Sequence, residues 1–165
     1  MIVPYYKSSD RNFTLIKGDC IELLNSFEFK FDMIFADPPY HLSNGGISVH
    51  SGKMVCVNKG DWDKSYGHET DYLFDKEWLS ACRDKLKDSG TIWISGTYHN
   101  LFSIARCLTE LGFKILNCIT WVKKNPPPNL SCRYFTHSAE YVLWARKDAK
   151  TPHYFNYELM KEING

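Results

Sequence analysis

The chain has 165 residues, a length that fits one domain with a sizeable core. Its 20 basic and 19 acidic side chains give a net charge of +1, so any contact with nucleic acid must use local patches. The six cysteines show no C-x-x-C spacing, which disfavours a disulfide framework or a zinc site and favours reduced thiols. No apolar stretch is long enough for a membrane span, and the N-terminus lacks a signal-peptide pattern. We therefore expect a cytoplasmic protein without a metal or a membrane partner.

Strand and helix patterns alternate from the N-terminal region onward. FTLIKGD (residues 13–19) predicts a strand, and CIELLNSF predicts a short helix after it. The nearly continuous apolar run KFDMIFA (residues 30–36) is typical of a strand buried on both faces of a parallel sheet. The segment 41–70 is rich in Gly, Ser and Asn, and it is longer than a loop that only connects two secondary-structure elements usually is. We expect this segment to be mobile without a ligand.

The second half of the chain continues the alternation. Apolar side chains recur every four residues from Phe74 to Leu86, which predicts a helix from Asp71 that Gly90 ends. TIWIS (91–95) predicts a strand. Asn100 is the expected cap of a second helix, ended by a glycine at position 112. Strands are predicted at 113–123 and 139–146, with a proline-rich loop between them. The pattern indicates an α/β fold with helices on both faces of the sheet.

A rigid turn follows the strand predicted at 30–36. In the sequence FADPPY, Asp37 and Tyr40 flank two prolines, which cannot continue a sheet ladder. The carboxylate of Asp37 and the carbonyl of Pro38 would form two rigidly held acceptors for an exocyclic amine of a nucleobase. Two such acceptors would draw the nitrogen toward sp³ character and localise its lone pair. Tyr40 would offer a flat face for a flipped base. The alternative is an ordinary turn in which Asp37 forms the bend and Tyr40 packs.

DPPY resembles motif IV of the β-group DNA amino-methyltransferases, which use S-adenosylmethionine to methylate adenine N6 or cytosine N4. LIKGDC is similar to motif III, GTIWISG to motif VI, and ITWVKKNPPPN with RYFTHSAEYVLWARK to motifs VII and VIII. The chain most resembles the second, single-strand-capable adenine methyltransferase of DpnII-type restriction systems, which modifies GATC. The resemblance implies an adenine-N6 DNA methyltransferase of a restriction–modification system. Its sheet would be the Rossmann-like sheet of the S-adenosylmethionine-dependent methyltransferases.

The resemblance also implies roles for individual residues. Asp37 and Pro38 would hold the target amine, Pro39 would shape the turn, and Tyr40 would stack on the base. The expected contacts to the cofactor come from Asp19, Cys20 and Asp37; taken alone, however, Asp19 fits an ordinary Gly-Asp turn.

Further residues of the two loops receive tentative roles. Five basic side chains are candidates for contacts with DNA phosphates: Lys53, Lys59, Lys123, Lys124 and Arg133. The role of Trp62 and Asp63, at the end of the first loop, stays open. For His137 and Glu140 we expect structural hydrogen bonds rather than acid–base catalysis.

Two motifs of the β group do not occur in the 165 residues. These are the Phe-x-Gly-x-Gly cofactor loop, motif I, and the HPTQKP-like motif X before it. We therefore expect a partial methyltransferase domain over residues 1–165, with a mobile loop at 41–70 and a target-side loop at 123–137. Strands 1 and 2 of the family sheet would be missing, which would leave an apolar, unpaired edge on the strand at 30–36.

The missing motifs leave the state of the chain and its function open. The chain would be truncated, completed by a C-terminal segment or a second polypeptide that carries motif I, or degenerate, and a homodimer stays possible. The alternatives to adenine methylation are a cytosine-N4 methyltransferase and a non-catalytic half-domain that binds DNA or a partner.

Overall fold

A four-stranded mixed sheet lies at the centre of the chain in the computed structural model, which describes residues 3–50 and 53–164. In chain order the elements are β1 (Tyr6–Lys7), β2 (Thr14–Leu15), α1 (Cys20–Ser26), β3 (Phe31–Ala36), β4 (Ile47–His50), β5 (Lys53–Cys56), a 3₁₀ turn (Asp61–Asp63), α2 (His68–Lys85), β6 (Leu86–Gly96), α3 (Leu101–Glu110), β7 (Lys114–Val122), β8 (Ala139–Arg146) and α4 (Tyr157–Asn164). Within this described part of the chain, no helix combines the length and the apolar character that crossing a bilayer requires.

The main sheet has the order β3-β6-β8-β7. β3 and β6 are parallel, whereas β8 runs antiparallel to both of its neighbours. The strands predicted at 30–36, 91–95, 113–123 and 139–146 are therefore confirmed. The strand predicted at 13–19 is reduced to the two residues of β2, which pair with β1 in a separate hairpin. Pairing with the adjacent β1 is local, so this segment does not join the main sheet in the described chain.

β3 lies at the edge of the main sheet and pairs only with β6 in the part of the chain that the structure describes. The unpaired edge expected for this strand is therefore present. The prediction that the strand is buried on both faces is wrong, because Met33 and Phe35 remain 56% and 61% exposed. Ile34 and Ala36 point to the other face, where they pack against the core. An apolar run with one uncovered face looks the same in sequence as one with two covered faces.

The core lies on a single face of the sheet, between the strands and the first three helices. Ile92 and Ile94 of β6 and Leu143 and Ala145 of β8 supply its strand side. The helices contribute Trp78, Leu79, Cys82, Ile104, Cys107 and Leu108, with Ile21 and Leu24 of α1 packed at the margin. On the opposite face Trp93 stacks on Trp144, and Phe155 packs on Trp144 just before α4 begins. The Rossmann-like α/β arrangement predicted from the sequence is thus confirmed.

The end of α2 differs from the sequence prediction. The helix ends at Lys85 rather than near Gly90, because Leu86 is fully buried and pairs with Phe31 as the first residue of β6. The segment 87–90 forms a bulge before the pairing with β3 resumes at Thr91. The bulge requires a glycine at position 90, because a Cβ at Gly90 would lie 2.8 Å from the carbonyl oxygen of Lys87. The glycine therefore marks a close backbone approach inside a strand, not a helix end.

A polar cluster joins α2 to α3 and makes stability depend on pH. Tyr72, Lys76 and Arg106 all donate hydrogen bonds to the Glu110 carboxylate, which lowers the pKa of Glu110 to about 2. The folded state therefore favours the charged carboxylate. Its contribution is present above the usual glutamate pKa of about 4.3 and is lost as the pH falls toward 2. The cluster lies at the surface, so we expect a small, salt-screened effect.

Replacing Glu110 with glutamine tests this contribution. We expect the variant to melt below the wild type at neutral pH and the two melting temperatures to converge as the pH falls below 4. Glu158→Gln, on the exposed α4, is the matched control and should show no such gap. A gap that stays constant from pH 7 to pH 3 would contradict the assignment.

Candidate functional site

The DPPY turn lies at the carboxyl end of β3, beside the carboxyl end of its parallel neighbour β6. The Oδ1 atom of Asp37 accepts hydrogen bonds from the Tyr40 hydroxyl at 2.6 Å and from the Ser95 hydroxyl of β6 at 2.5 Å. Within the described residues, the Oδ2 atom of Asp37 and the carbonyl oxygen of Pro38 accept no hydrogen bond. Two acceptors on a rigid turn are therefore available to a ligand, in the place that sheet topology favours for sites.

The Tyr40 hydroxyl holds the Asp37 carboxylate in place. Burial raises the pKa of Tyr40 to about 12, and its hydrogen bond to Asp37 and the nearby charges of Asp37 and Glu140 act in the same direction. The phenol therefore remains a donor at any ordinary pH. Since Tyr40 and Ser95 both donate to Oδ1, the orientation of the carboxylate is fixed and Oδ2 is directed elsewhere.

Asp63 braces the backbone that follows the turn, a role that the sequence left open. Its carboxylate is fully buried and accepts three hydrogen bonds: from the backbone N–H of Tyr40 at 2.9 Å, the backbone N–H of Leu42 at 3.2 Å and the Ser43 hydroxyl at 2.9 Å. The neighbouring Trp62 remains 62% exposed. A buried carboxylate with three donors is well compensated, and it fixes the turn that carries Tyr40.

Asn100 braces the turn from the other side. The sequence predicts a helix cap here, but its side chain makes no capping hydrogen bond to α3. Its Oδ1 atom accepts from the backbone N–H of Thr97 at 3.0 Å, and its Nδ2 atom donates to the Pro39 carbonyl at 3.3 Å. Gly96 is required for this packing, because a Cβ there would lie 2.8 Å from the Asn100 Oδ1 atom. Asn100 thereby ties the end of β6 to the DPPY turn.

The predicted cofactor residues Asp19 and Cys20 lie at the start of α1. The Oδ1 atom of Asp19 caps this helix by accepting from the backbone N–H groups of Ile21 and Glu22 at 2.9 and 3.0 Å. Both Asp19 and Cys20 are exposed, and the Oδ2 atom of Asp19 accepts no hydrogen bond from a described residue. No hydrogen bond joins Asp19 or Cys20 to Asp37 among the described residues.

The predicted phosphate contacts differ in their surroundings. Lys53, Lys124 and Arg133 are exposed. Lys59 is also exposed, and its Nζ atom lies 5.3 Å from the centre of the Tyr40 ring. Lys123 forms an ion pair with Glu140, so part of its charge is already compensated.

Structural hydrogen bonds are expected for His137 and Glu140. Glu140 pairs with Lys123, whereas His137 makes no hydrogen bond to a described residue and instead stacks on Tyr98, with the two ring centres 4.0 Å apart.

The loop at 41–70 contains more structure than its composition indicates. β4 and β5 form a hairpin, and the base of the loop is tied down by the Asp63 contacts and by the backbone N–H of Lys59, which donates to the Ser43 hydroxyl at 2.8 Å. Alternation is weak in this polar segment, so the sequence does not predict the hairpin. No group of three or more His, Cys, Asp or Glu side chains is arranged to hold a metal ion in residues 3–50 and 53–164.

Three kinds of similarity place the chain among the DNA methylases. The model of the N6/N4 DNA methylase family matches residues 31–165. The chain is 54% identical to the type II methyltransferase M2.MboI of Moraxella bovis, covering 99% of this chain and 60% of that protein. It is 52% identical to the type II methyltransferase M2.DpnII of Streptococcus pneumoniae, covering 99% of this chain and 61% of that protein. The chain thus spans about three fifths of these relatives.

Solved structures show the same fold. The cytosine-N4-specific PvuII DNA methyltransferase matches with a TM-score of 0.69 at 20% identity, over 98% of this chain and 57% of that one. M1.HpyAVI in complex with S-adenosylmethionine matches with a TM-score of 0.54 at 25% identity, over 79% of this chain and 53% of that one. The DPPY turn that Ser95, Asp63 and Asn100 hold in place lies within the matched residues. The chain belongs to the N6/N4 DNA methylase family.

Proposed function

We propose that the chain carries the catalytic and target-binding part of a restriction–modification DNA methyltransferase that methylates adenine at N6. The observation that carries this proposal is the free acceptor pair of the DPPY turn, formed by the Asp37 Oδ2 atom and the Pro38 carbonyl oxygen. Tyr40 and Ser95 fix the orientation of the Asp37 carboxylate. The 54% identity to a type II methyltransferase supports the same reaction class.

The two acceptors explain how the turn would activate an amine. The lone pair of an exocyclic amine is delocalised into the base, so the nitrogen is a poor nucleophile. Hydrogen bonds from its two N–H groups to Asp37 and Pro38 would favour a pyramidal nitrogen with a localised lone pair. A turn that is already rigid needs no reorganisation at the moment of reaction. The Tyr40 ring would stack on the flipped base and hold it in line.

S-adenosylmethionine, when bound, would supply the methyl group. Asp19 and Cys20 fit a contact at the edge of this cofactor, since both are exposed and the Asp19 Oδ2 atom is free of hydrogen bonds in the described chain. Among the basic residues, Lys53, Lys59, Lys124 and Arg133 are the better candidates for DNA phosphates, because Lys123 already pairs with Glu140.

The identity of the methylated base tests the proposal. The natural protein is incubated with labelled S-adenosylmethionine and with single- and double-stranded oligonucleotides, some of which contain GATC. The DNA is then digested to nucleosides. We expect the label in N6-methyl-2′-deoxyadenosine. Label in N4-methyl-2′-deoxycytidine would establish the cytosine reaction instead, and DNA binding without any label would indicate a non-catalytic binding module.

Tyr40 combines two roles that substitution can separate. Tyr40→Ala removes both the stacking face and the donor to Asp37, so we expect weaker capture of the base and a large loss of kcat. Tyr40→Phe keeps the ring but loses a hydrogen bond to a carboxylate, worth about 1.5–3 kcal/mol. We therefore expect Tyr40→Phe to bind DNA like the wild type and to lose about tenfold or more in kcat. Full activity of Tyr40→Phe would show that Ser95 alone orients Asp37.

The β4–β5 hairpin is proposed as the mobile part of the loop at 41–70. Ile47 and Met54 are 63% and 72% exposed, whereas the base of the loop is held by the buried Asp63. We expect rapid hydrogen exchange of the amides at 53–57 in the free protein and slower exchange with DNA bound, while the amides of β6 remain protected in both states. Slow exchange at 53–57 without DNA would show that the hairpin is scaffold.

A further inference from the structure

The residue that follows the DPPY turn, His41, adopts a backbone conformation that costs free energy. Its φ is 58°, in the left-handed region that residues other than glycine rarely occupy. Its ring is also largely buried, and the Nε2 atom is enclosed without a hydrogen-bond partner among the described residues. Backbone strain of this kind persists only where the surrounding contacts hold it, and it clusters at functional sites. The conformation of His41 therefore requires a functional explanation.

The left-handed backbone at His41 helps to form the seat of the Asp63 carboxylate. The N–H groups on its two sides donate to different oxygens of this carboxylate: that of Tyr40 to Oδ1 at 2.9 Å and that of Leu42 to Oδ2 at 3.2 Å. In a turn that contains a left-handed residue, the backbone N–H groups converge on a concavity that binds an anion. The fixed position of Tyr40 therefore depends on the conformation of His41.

The side chain and the carbonyl of His41 stabilise this conformation. The Nδ1 atom lies 3.3 Å from the Lys64 carbonyl oxygen, which can only accept, so Nδ1 carries the proton and donates. The His41 carbonyl accepts from the Nδ2 atom of Asn44 at 2.8 Å, and the Oδ1 atom of Asn44 accepts from the Ser65 backbone N–H at 3.0 Å. These contacts join the first residues of the loop at 41–70 to its last part, directly beside the DPPY turn.

We propose that His41 is a positioning residue for methyl transfer, whose side chain keeps Tyr40 in the place from which its hydroxyl orients the Asp37 carboxylate. The proposal rests on the proposed function, because it assumes that Asp37 receives the target amine. His41 acts through Tyr40, which donates to the Asp37 Oδ1 atom at 2.6 Å, and it touches neither the base nor the cofactor. Since glycine adopts a left-handed φ without strain, the backbone alone does not account for a histidine at this position.

Two substitutions separate the side chain of His41 from its backbone. His41→Gly accepts the left-handed φ but loses the ring. His41→Asn also tolerates this φ, and its Nδ2 atom, attached to Cγ as Nδ1 is in histidine, can donate to the Lys64 carbonyl. Arg11→Gly is the matched control, because it removes a residue with φ 60° from the separate β1–β2 hairpin. Each change is made in the natural protein, and kcat, KM for DNA and the exchange of individual amides by NMR are measured.

We expect His41→Gly to lower kcat about tenfold with little change in KM for DNA, because a small displacement of Tyr40 costs rate and removes no phosphate contact. The amides of Tyr40 and Leu42 should exchange faster in this variant. His41→Asn should restore both kcat and slow exchange, and Arg11→Gly should behave as the wild type. A wild-type kcat in His41→Gly would overturn the proposal, and so would a loss of kcat that His41→Asn does not restore.

Amide exchange separates this proposal from the proposed function, because it needs no methyl transfer. If the natural protein methylates no DNA, the proposed function fails, and the exchange of the Tyr40 and Leu42 amides still decides whether His41 positions Tyr40. Fast exchange in His41→Gly with slow exchange in His41→Asn supports the positioning, whereas slow exchange in both variants refutes it. Methylation by the wild type together with slow exchange and full kcat in His41→Gly refutes the role of His41 alone.

Discussion

Asp37→Ala should lower kcat for methyl transfer by about 10²- to 10³-fold, the loss typical of one preorganised group that acts in the transition state. The variant removes the free Oδ2 acceptor and also the oxygen to which Tyr40 and Ser95 donate. DNA affinity should change little, because Asp37 carries no positive charge for a phosphate and the proposed contacts to DNA lie on the two basic loops. Single-turnover methylation and equilibrium DNA binding, measured on the same preparation, give the two quantities.

Asp32→Ala is the matched control for this prediction. Asp32 lies on the same strand, β3, but its exposed carboxylate forms only a surface ion pair with Lys87 at 2.7 Å. We expect this variant to keep its activity, since surface pairs contribute little. Loss of DNA affinity in parallel with kcat in Asp37→Ala would indicate that Asp37 shapes the turn and does not activate the amine.

Asp63→Ala should reduce both stability and activity. It leaves the backbone N–H groups of Tyr40 and Leu42 and the Ser43 hydroxyl without their acceptor in a buried place. Each unsatisfied buried group costs about 1–3 kcal/mol, so the melting temperature should fall clearly. In the molecules that stay folded, kcat should fall because Tyr40 is no longer held where it orients Asp37.

The control for Asp63 lies two residues away in the same 3₁₀ turn. Asp61 is exposed and pairs only with Lys64, so Asp61→Ala should resemble the wild type. Asp63→Asn provides the graded case, since it keeps one acceptor oxygen and should lie between alanine and the wild type. A stable, fully active Asp63→Ala variant would show that the turn holds its shape without the brace.

The rigid DPPY turn could be predicted from sequence because its parts are neighbours in the chain. An apolar strand that ends on Asp37, Pro38 and Pro39 specifies both the end of β3 and the rigidity of the turn. Helix α3 could be predicted for the same reason. It ends at Glu110, within one residue of the end that the sequence pattern predicts, and Gly112 follows with φ 78°. Local signals of this kind need no knowledge of distant contacts.

The contacts by which Asp63 and Asn100 hold the DPPY turn could not be predicted, because they join distant parts of the chain. Asp63 and Tyr40 are 23 residues apart, and Asn100 and Pro39 are 61 apart. In sequence, Asp63 is one acid among several in a polar loop, and Asn100 has a stronger local interpretation as a helix cap. The close contact between Gly96 and Asn100 is the signal that relates Asn100 to the site, and it exists only in the fold.

The most direct test of the proposed amine-binding role of the DPPY turn is a crystal structure of the natural protein bound to target DNA and an unreactive cofactor analogue. We predict a flipped adenine whose N6 atom lies about 2.7–3.2 Å from both the Asp37 Oδ2 atom and the Pro38 carbonyl oxygen. Its ring should lie against Tyr40, and Ser95 and Tyr40 should still donate to the Asp37 Oδ1 atom. A flipped base whose amine contacts neither acceptor would contradict the account.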